Sequence, residues 1–378
     1  MERSKARTWV EININNLKHN AIALKNLLKD DCQMMCAVKA NAYGHGMVKI
    51  ADAYKDIADQ FAVSCLDEAE ELRTSKINKP ILILGYTPEN FAEDLIKLDI
   101  AQTVYSYDYA KRLNENLKNS NSKLKVHIKI DSGMSRLGFS VKDEEDLKKS
   151  FREILEMHST LKNLEFIGMF THFHSSDSLN KELTDIQFDK FMKLKSKLDD
   201  SNIKFKFYHS CNSAAMIRFP HMHLNLTRPG VALYGIFPGE TEKIIDLKPT
   251  LELKTRVSQI HTVKKGEGIS YNTTFTAEKN MTVATIPIGY ADGYFRSLSN
   301  IGDVIVNGKR ARIVGNICMD QCVIDITDIK VSEGDIVTLL GKEGNEYISA
   351  DEIANKVGTI PHEIFCSISS RVRKVYID

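Results

Sequence analysis

Eight short apolar runs, separated by stretches of helical period, fill the first two thirds of the chain and constrain its fold most strongly. They are MMCAVKA (34–40), QFAVSC (60–65), PILILG (80–85), AQTVYS (101–106), KVHIKID (125–131), EFIGMFTHF (165–173), KFKFYHS (204–210) and LNLTRPGVALYGI (224–236). Between them, INNLKHNAIALKNLLK places Leu17, Ile22, Leu24, Leu27 and Leu28 largely on one helical face. LDEAEELRTSKI, PENFAEDLIKL and DEEDLKKSFREILEMH crowd acidic residues into their first turns, as the helix dipole favours. The final link, NSAAMIRFP, is short and stops at Pro220. Strands alternating with helices predict either a (β/α)8 barrel or an open doubly wound sheet. Eight units within about 235 residues match the usual barrel size, and no Gly-x-Gly-x-x-Gly follows the first run.

After about residue 240 the pattern changes. ELKTRVSQIHTV, MTVATIPIGYA, DVIVNGKRARIVGN, CVIDITDI and DIVTLLG read as strands without long helices between them, and Asn307-Gly308 is a hairpin signal. The opening TWVEI (8–12) is also strand-like. The expected organisation is a first strand (1–12) joining the C-terminal domain, a barrel over 13–240 and a β-domain over 241–378. A chain of 378 residues is too long for one ordinary core, which fits two domains. A net charge of +1 gives no field that argues for nucleic acid or an acidic membrane. Seven scattered cysteines do not form a disulfide framework, and Cys318 and Cys322 lack the partners of a zinc site, so no metal is expected. The N-terminus has no apolar signal region, and no run approaches the roughly 18 residues that span a bilayer. The expectation is a cytoplasmic protein, or the cytoplasmic part of a membrane-anchored one.

Within this frame Lys39 ends the first barrel strand, on the face where barrel enzymes carry their chemistry. Desolvation there lowers an amine's pKa and makes it a better nucleophile towards an aldehyde. A lysine merely snorkelling from a strand end is the alternative. Asn41, Tyr43, Gly44 and Gly46 add a phenol and exposed backbone at the same rim.

AVKANAYGHG resembles the cofactor-lysine motif of the alanine racemase family, a barrel joined to a β-domain. The resemblance continues in order through HIKIDSGMSRLGF (127–139), THF (171–173), HSCNSAA (209–215), RPGVALYG (228–235), GISYNTTFTA (268–277), PIGYADGY (287–294) and GNICMDQ (315–321). It implies pyridoxal 5'-phosphate, held by Lys39 as a Schiff base. Tyr43, Asn212 and Ser213 match residues at the phosphate, as do the Gly230 and Val231 amides; a helix N-cap is the other reading of Ser213. Arg228 matches an arginine facing the pyridine nitrogen. Arginine cannot give up its proton, so the ring stays mostly unprotonated and transamination is disfavoured. His209 matches a residue that positions this arginine. Arg136 matches an arginine near the substrate carboxylate, and Lys129 a lysine often carbamylated to hold it.

The resemblance also implies two bases, because a proton must leave one face of the α-carbon and return to the other. Lys39 is one and Tyr271 the other, Tyr271 coming from the partner chain of a homodimer with shared sites. A free phenol, with a pKa of about 10, is a poor base near neutrality. His172 and Arg228 match a relay that assists it. Met319 matches a residue whose backbone N–H receives the substrate carboxylate, Asp320 orders its loop, and Tyr290 matches an entry-corridor tyrosine. The chain departs from the family at His362, where most members carry a tyrosine at the phosphate and the substrate pocket. A histidine is smaller and polar, and could hydrogen-bond a hydroxymethyl group. The implied activity is alanine racemisation for peptidoglycan precursors, with serine as a second substrate. Alternatives are a dedicated serine racemase domain of a vancomycin-resistance protein, a fold type III decarboxylase, and a cofactor carrier without catalysis. The decarboxylases use a glutamate where Arg228 stands, and the carriers lack the β-domain.

Overall fold

The structure, a computed structural model, describes residues 6–239 and 244–378. Two compact units are present. One comprises residues 17–42 and 47–248; the other comprises the chain up to Asn16, residues 43–46 and residues 249–378. The boundary expected at residue 240 lies outside the described residues.

The chain opens with β1 (Thr8–Asn13). The first unit then contributes β2 (Gln33–Ala37), β3 (Gln60–Val63), β4 (Ile81–Ile83), β5 (Ile100–Val104), β6 (Leu124–Asp131), β7 (Phe139–Ser140), β8 (Leu164–Phe170), β9 (Phe207–His209) and β10 (Leu226–Thr227). Eight of these run parallel in the order β10-β2-β3-β4-β5-β6-β8-β9, with β7 paired to the end of β6. Every residue of β3 and β5 is buried, as expected for parallel strands covered on both faces. The seam between β9 and β10 is bridged by the Arg228 N–H donating to the Cys211 carbonyl (2.9 Å). The ring is therefore nearly closed, and the eight runs form the expected barrel rather than an open sheet.

One helical face differs from the periodicity. On the helix Ile14–Lys25, Ile22 is exposed and Asn20 is buried with Leu17, Ala21 and Leu24. Asn20 is accommodated because its amide donates to the carbonyls of Leu233 and Lys248 and its oxygen accepts the Lys248 N–H.

The second unit holds β11 (Leu251–Arg256), β12 (Gln259–Val263), β13 (Gly268–Ile269), β14 (Phe275–Thr276), β15 (Met281–Ile286), β16 (Asp303–Val306), β17 (Lys309–Arg312), β18 (Cys322–Asp325), β19 (Ile336–Glu343), β20 (Glu346–Ile348) and β21 (Arg373–Ile377). β1 lies between β11, antiparallel, and β21, parallel. β16 and β17 form a hairpin over Asn307 and Gly308, both at positive φ (50° and 73°), the geometry that an Asn-Gly turn supplies without strain. Val263, Ile269, Ala277, Met281, Val283 and Val314 form an apolar core under the smaller sheets. Two short helices, Ala350–Val357 and Pro361–Ser367, complete the unit, and His362 sits on the second.

Candidate active site

β2 stops at Ala37, two residues before Lys39. Its end is tied on both sides, by Ala37 N–H to Pro229 O and by Val38 N–H to Ala62 O (both 3.0 Å). From Ala40 to Tyr43 the backbone then turns left-handed, with φ between 51° and 53° at four successive non-glycine residues. Left-handed L-residues cost about 1–2 kcal/mol each, so local bonds must hold the turn. The Glu68 carboxylate accepts the N–H groups of Ala40 (2.6 Å) and Ser64 (2.7 Å), and the Asn41 side chain accepts the Met47 N–H (2.8 Å).

On the neighbouring strand, just past the end of β10, Arg228 is buried. Its Nη1 donates to His209 Nδ1 (2.8 Å) and its Nη2 to the Thr171 carbonyl (2.7 Å), with Ser210 O at 3.3 Å and His172 Nδ1 at 3.4 Å. The guanidinium also lies over the Phe170 ring, 5.1 Å from its centre. Burial lowers its pKa to about 10, which leaves it charged near neutrality. Burial, reinforced by Arg228, holds His172 and His209 well below the usual imidazole range. Lys129, Arg136 and Lys39 add to the positive field at His172. Arg228, Arg136, Lys39 and the protonated fraction of Lys129 thus act on one neutral ring, a setting that favours anionic groups.

Lys129 is buried beside the Phe170 ring and donates to the Ile130 carbonyl (3.0 Å). Burial first, and the Arg228 charge second, lower its pKa to about 7. Arg136 is exposed on a loop shaped by Asp131, whose carboxylate accepts the N–H groups of Gly133 and Ser135 (both 3.0 Å).

The helix Ser213–Arg218 is capped by Asn212, not by Ser213: Asn212 Oδ1 accepts the Ala215 N–H (3.0 Å) and the Ser176 hydroxyl (2.8 Å). Ser213 Oγ instead accepts the N–H groups of Gly230 (2.8 Å) and Ala232 (3.3 Å). With both acceptor sites filled, this hydroxyl is left with its own proton to donate. Val231 opens the adjacent one-turn helix.

In the second unit, the segments carrying Tyr271, Tyr290, Met319 and Asp320 are pinned together. Ser270 Oγ donates to Asn316 O (2.6 Å), and Asn316 Nδ2 to Tyr271 O (2.7 Å). The N–H groups of Tyr290 and Ala291 donate to Cys318 O (3.1 Å) and Met319 O (3.0 Å). A Cβ at Gly289 would sit 2.2 Å from Cys318 O, so this approach requires glycine. Asp320 pairs with Arg371 (2.7 Å). The Tyr271 side chain is 70% exposed and Met319 53%, so neither packs in its own core. Tyr43 is buried, its phenol pushed up by burial, and its ring lies 5.9 Å from that of His362. His45 holds this segment by ring nitrogens on Tyr43 O and Thr250 Oγ1 (both 2.9 Å).

The sequence reading did not single out Glu68, Asp131, His127 or Arg371. Of these only His127, a histidine inside an apolar strand, stands out in the sequence. Among the described residues, no His, Cys, Asp and Glu group is placed to hold a metal ion, and no helix is long and apolar enough to cross a membrane.

The residues fit pyridoxal 5'-phosphate on their own chemistry. A lysine stands past the end of β2, a serine hydroxyl oriented to donate can meet a phosphate oxygen, and a buried arginine with no lone pair can meet a ring nitrogen. Comparisons agree. Residues 12–238 match the family model "Alanine racemase, N-terminal domain", and residues 250–376 match "Alanine racemase, C-terminal domain". The chain is 43% identical over 373 residues to alanine racemase 1 of Clostridium acetobutylicum, covering 98% of this chain and 95% of that one. It superposes on the alanine racemase structure of Clostridium difficile 630 with TM-score 0.92 at 41% identity, covering 99% and 96% of the two chains. The alanine racemase structure of Bartonella henselae, described with covalently bound pyridoxal phosphate, matches with TM-score 0.88 at 28% identity over 98% and 100% of the chains. This chain belongs to the alanine racemase family, whose members depend on pyridoxal 5'-phosphate.

Proposed function

We propose that this chain interconverts L- and D-alanine, accepts serine as a second substrate, and works in the cytoplasm as a homodimer supplying D-amino acids for peptidoglycan precursors. The observation that carries the reading is the buried Arg228 guanidinium, held by His209 and Thr171 beside His172. A cation at that position that does not release its proton suits racemisation better than transamination or decarboxylation.

Lys39 would hold the cofactor, with Ser213, Tyr43 and the Gly230 and Val231 backbone at its phosphate and Arg228 at its ring nitrogen. Asn212 fixes the start of the helix that carries Ser213. When bound, the cofactor supplies an electron sink that acidifies the substrate α-carbon. The Lys39 amine then exchanges the α-proton on one face, and Tyr271 of the partner subunit exchanges it on the other. Arg228 donates towards His172 Nδ1, which leaves the His172 proton on Nε2, free to donate to a phenolate oxygen. The exposure of Tyr271 and Met319 supports their serving another chain. Arg136 and the Met319 N–H receive the substrate carboxylate. Arg136 is steadied by Lys129 once this lysine, its pKa lowered to about 7 so that a large share is neutral, has taken up carbon dioxide as a carbamate. Asp320, through Arg371, orders the Met319 loop, and Tyr290 narrows the entry. His362, beside Tyr43, is the residue assigned to serine tolerance.

A coupled assay for D-amino-acid formation from L-alanine and from L-serine tests the reading. Turnover of alanine that disappears in Lys39→Ala supports it. A cofactor-loaded protein that racemises neither amino acid, or one that releases carbon dioxide, refutes it.

A further inference from the structure

Behind Arg228 lies a second buried histidine with no place in the scheme above. His127, on β6, puts its Nδ1 2.8 Å from Nε2 of His209. The proton positions in this pair follow from Arg228. The guanidinium can only donate, so His209 Nδ1, at 2.8 Å from Nη1, is a lone pair. A doubly protonated His209 would aim an N–H at a guanidinium in a dry site, and both burial and Arg228 oppose that charge. The single proton of His209 therefore sits on Nε2 and is donated to His127 Nδ1, which must also be a lone pair. Donation runs one way, from Arg228 to His209 to His127.

The packing enforces this arrangement. The Phe207 ring stacks on His127 at 5.9 Å and 8°, and the Phe170 ring on His209 at 4.6 Å and 5°. A register shift at Val126/His127 brings Gly168 of β8 opposite His127. A Cβ on Gly168 would lie 2.2 Å from His127 Nδ1, the accepting atom itself. Glycine here leaves room for the ring at the one place where it can accept from His209.

We propose that His127 is a positioning residue, made possible by Gly168, that fixes the His209 tautomer and through it the orientation of Arg228. Its kinetic consequence rests on the function proposed above; the tautomer does not. Without an acceptor at His127, the Nε2 proton of His209 has no buried partner. The ring then gains by moving its proton to Nδ1, where it opposes Arg228.

The test uses holoenzyme with 15N-labelled histidine, the His209 signals being assigned by their absence in His209→Gln. The wild type shows His209 protonated on Nε2 alone. His127→Leu and Gly168→Ala lose this single form and lower kcat roughly tenfold or more, with KM changed less than about threefold. His127→Asn, whose carboxamide oxygen can stand near the Nδ1 position, recovers the tautomer and most of kcat. A wild-type His209 protonated on Nδ1 overturns the proposal without recourse to any variant. So does a folded His127→Leu with unchanged tautomer and kcat, or a folded His127→Asn as impaired as the worst of the set. If His127→Leu does not fold, the wild-type spectrum and His127→Asn decide. If the enzyme does not racemise alanine, the nitrogen spectrum still decides and only the function reading fails.

Discussion

The Nη1 of Arg228 donates to Nδ1 of His209 across 2.8 Å, inside a barrel where both side chains are buried. Three further acceptors or neighbours, Thr171 O, Ser210 O and His172 Nδ1, fix the other terminal nitrogen. Truncating His209 frees the guanidinium to rotate and leaves a buried donor unmatched. His209→Leu is expected to lower kcat by about ten- to a hundredfold, while His209→Asn, which keeps an acceptor near Nδ1, loses less. Steady-state kinetics on the two variants check this.

Lys129 reacts with carbon dioxide only as the neutral amine. An ordinary lysine, near 10.5, is almost wholly protonated at pH 8, whereas burial and Arg228 bring Lys129 to about 7. Because the shift is downward, the reactive form gains with rising pH through 7 and is lost below it. Protein equilibrated with 13C-bicarbonate at pH 8 is expected to show one carbamate resonance that weakens below pH 7 and is missing from Lys129→Ala. A wild-type spectrum without that resonance contradicts carbamylation.

Ser213 Oγ accepts two backbone N–H groups, from Gly230 and Ala232. Ser213→Ala removes the hydroxyl proton meant for the phosphate and strands both amides. The loss of about 1–3 kcal/mol corresponds to pyridoxal 5'-phosphate binding weakened roughly five- to a hundredfold. Fluorescence titration of the cofactor-free protein measures it, with the melting temperature as a control for folding.

His362 lies beside Tyr43 where most relatives are expected to carry tyrosine. His362→Tyr is expected to lower the serine-to-alanine ratio of kcat/KM by about ten- to a hundredfold, the range set by a pocket that hydrogen-bonds a hydroxyl rather than tolerating it. An unchanged ratio removes His362 as the determinant.

The barrel was legible in the sequence because parallel strands buried on both faces leave runs rich in apolar residues, and each of the eight runs contains a strand. Lys39 was legible from its motif, but the left-handed turn after it was not. Ala40, Asn41, Ala42 and Tyr43 include only one residue type that favours positive φ, and the turn is held by Glu68 from the helix after β3. The cap read for Ser213 is made by Asn212, and the bond that occupies Ser213 instead comes from Gly230, seventeen residues on and outside any local pattern. The His127–His209 pair spans 82 residues, a separation over which strand alternation carries no information. Ile22 was misplaced because five residues after Leu17 the helix has turned about 140° away from the buried face, where Asn20, its polar atoms bonded to the backbone, packs with Leu17, Ala21 and Leu24.

In the proposed mechanism each active centre is built from Lys39 of one chain and Tyr271 of another. Mixing two inactive variants, Lys39→Ala and Tyr271→Ala, after dissociation and reassembly tests it most directly. Shared sites predict that alanine racemisation returns to roughly a quarter of the wild-type rate, since half the dimers are mixed and each mixed dimer has one intact site. A mixture that stays as inactive as its two components contradicts the account.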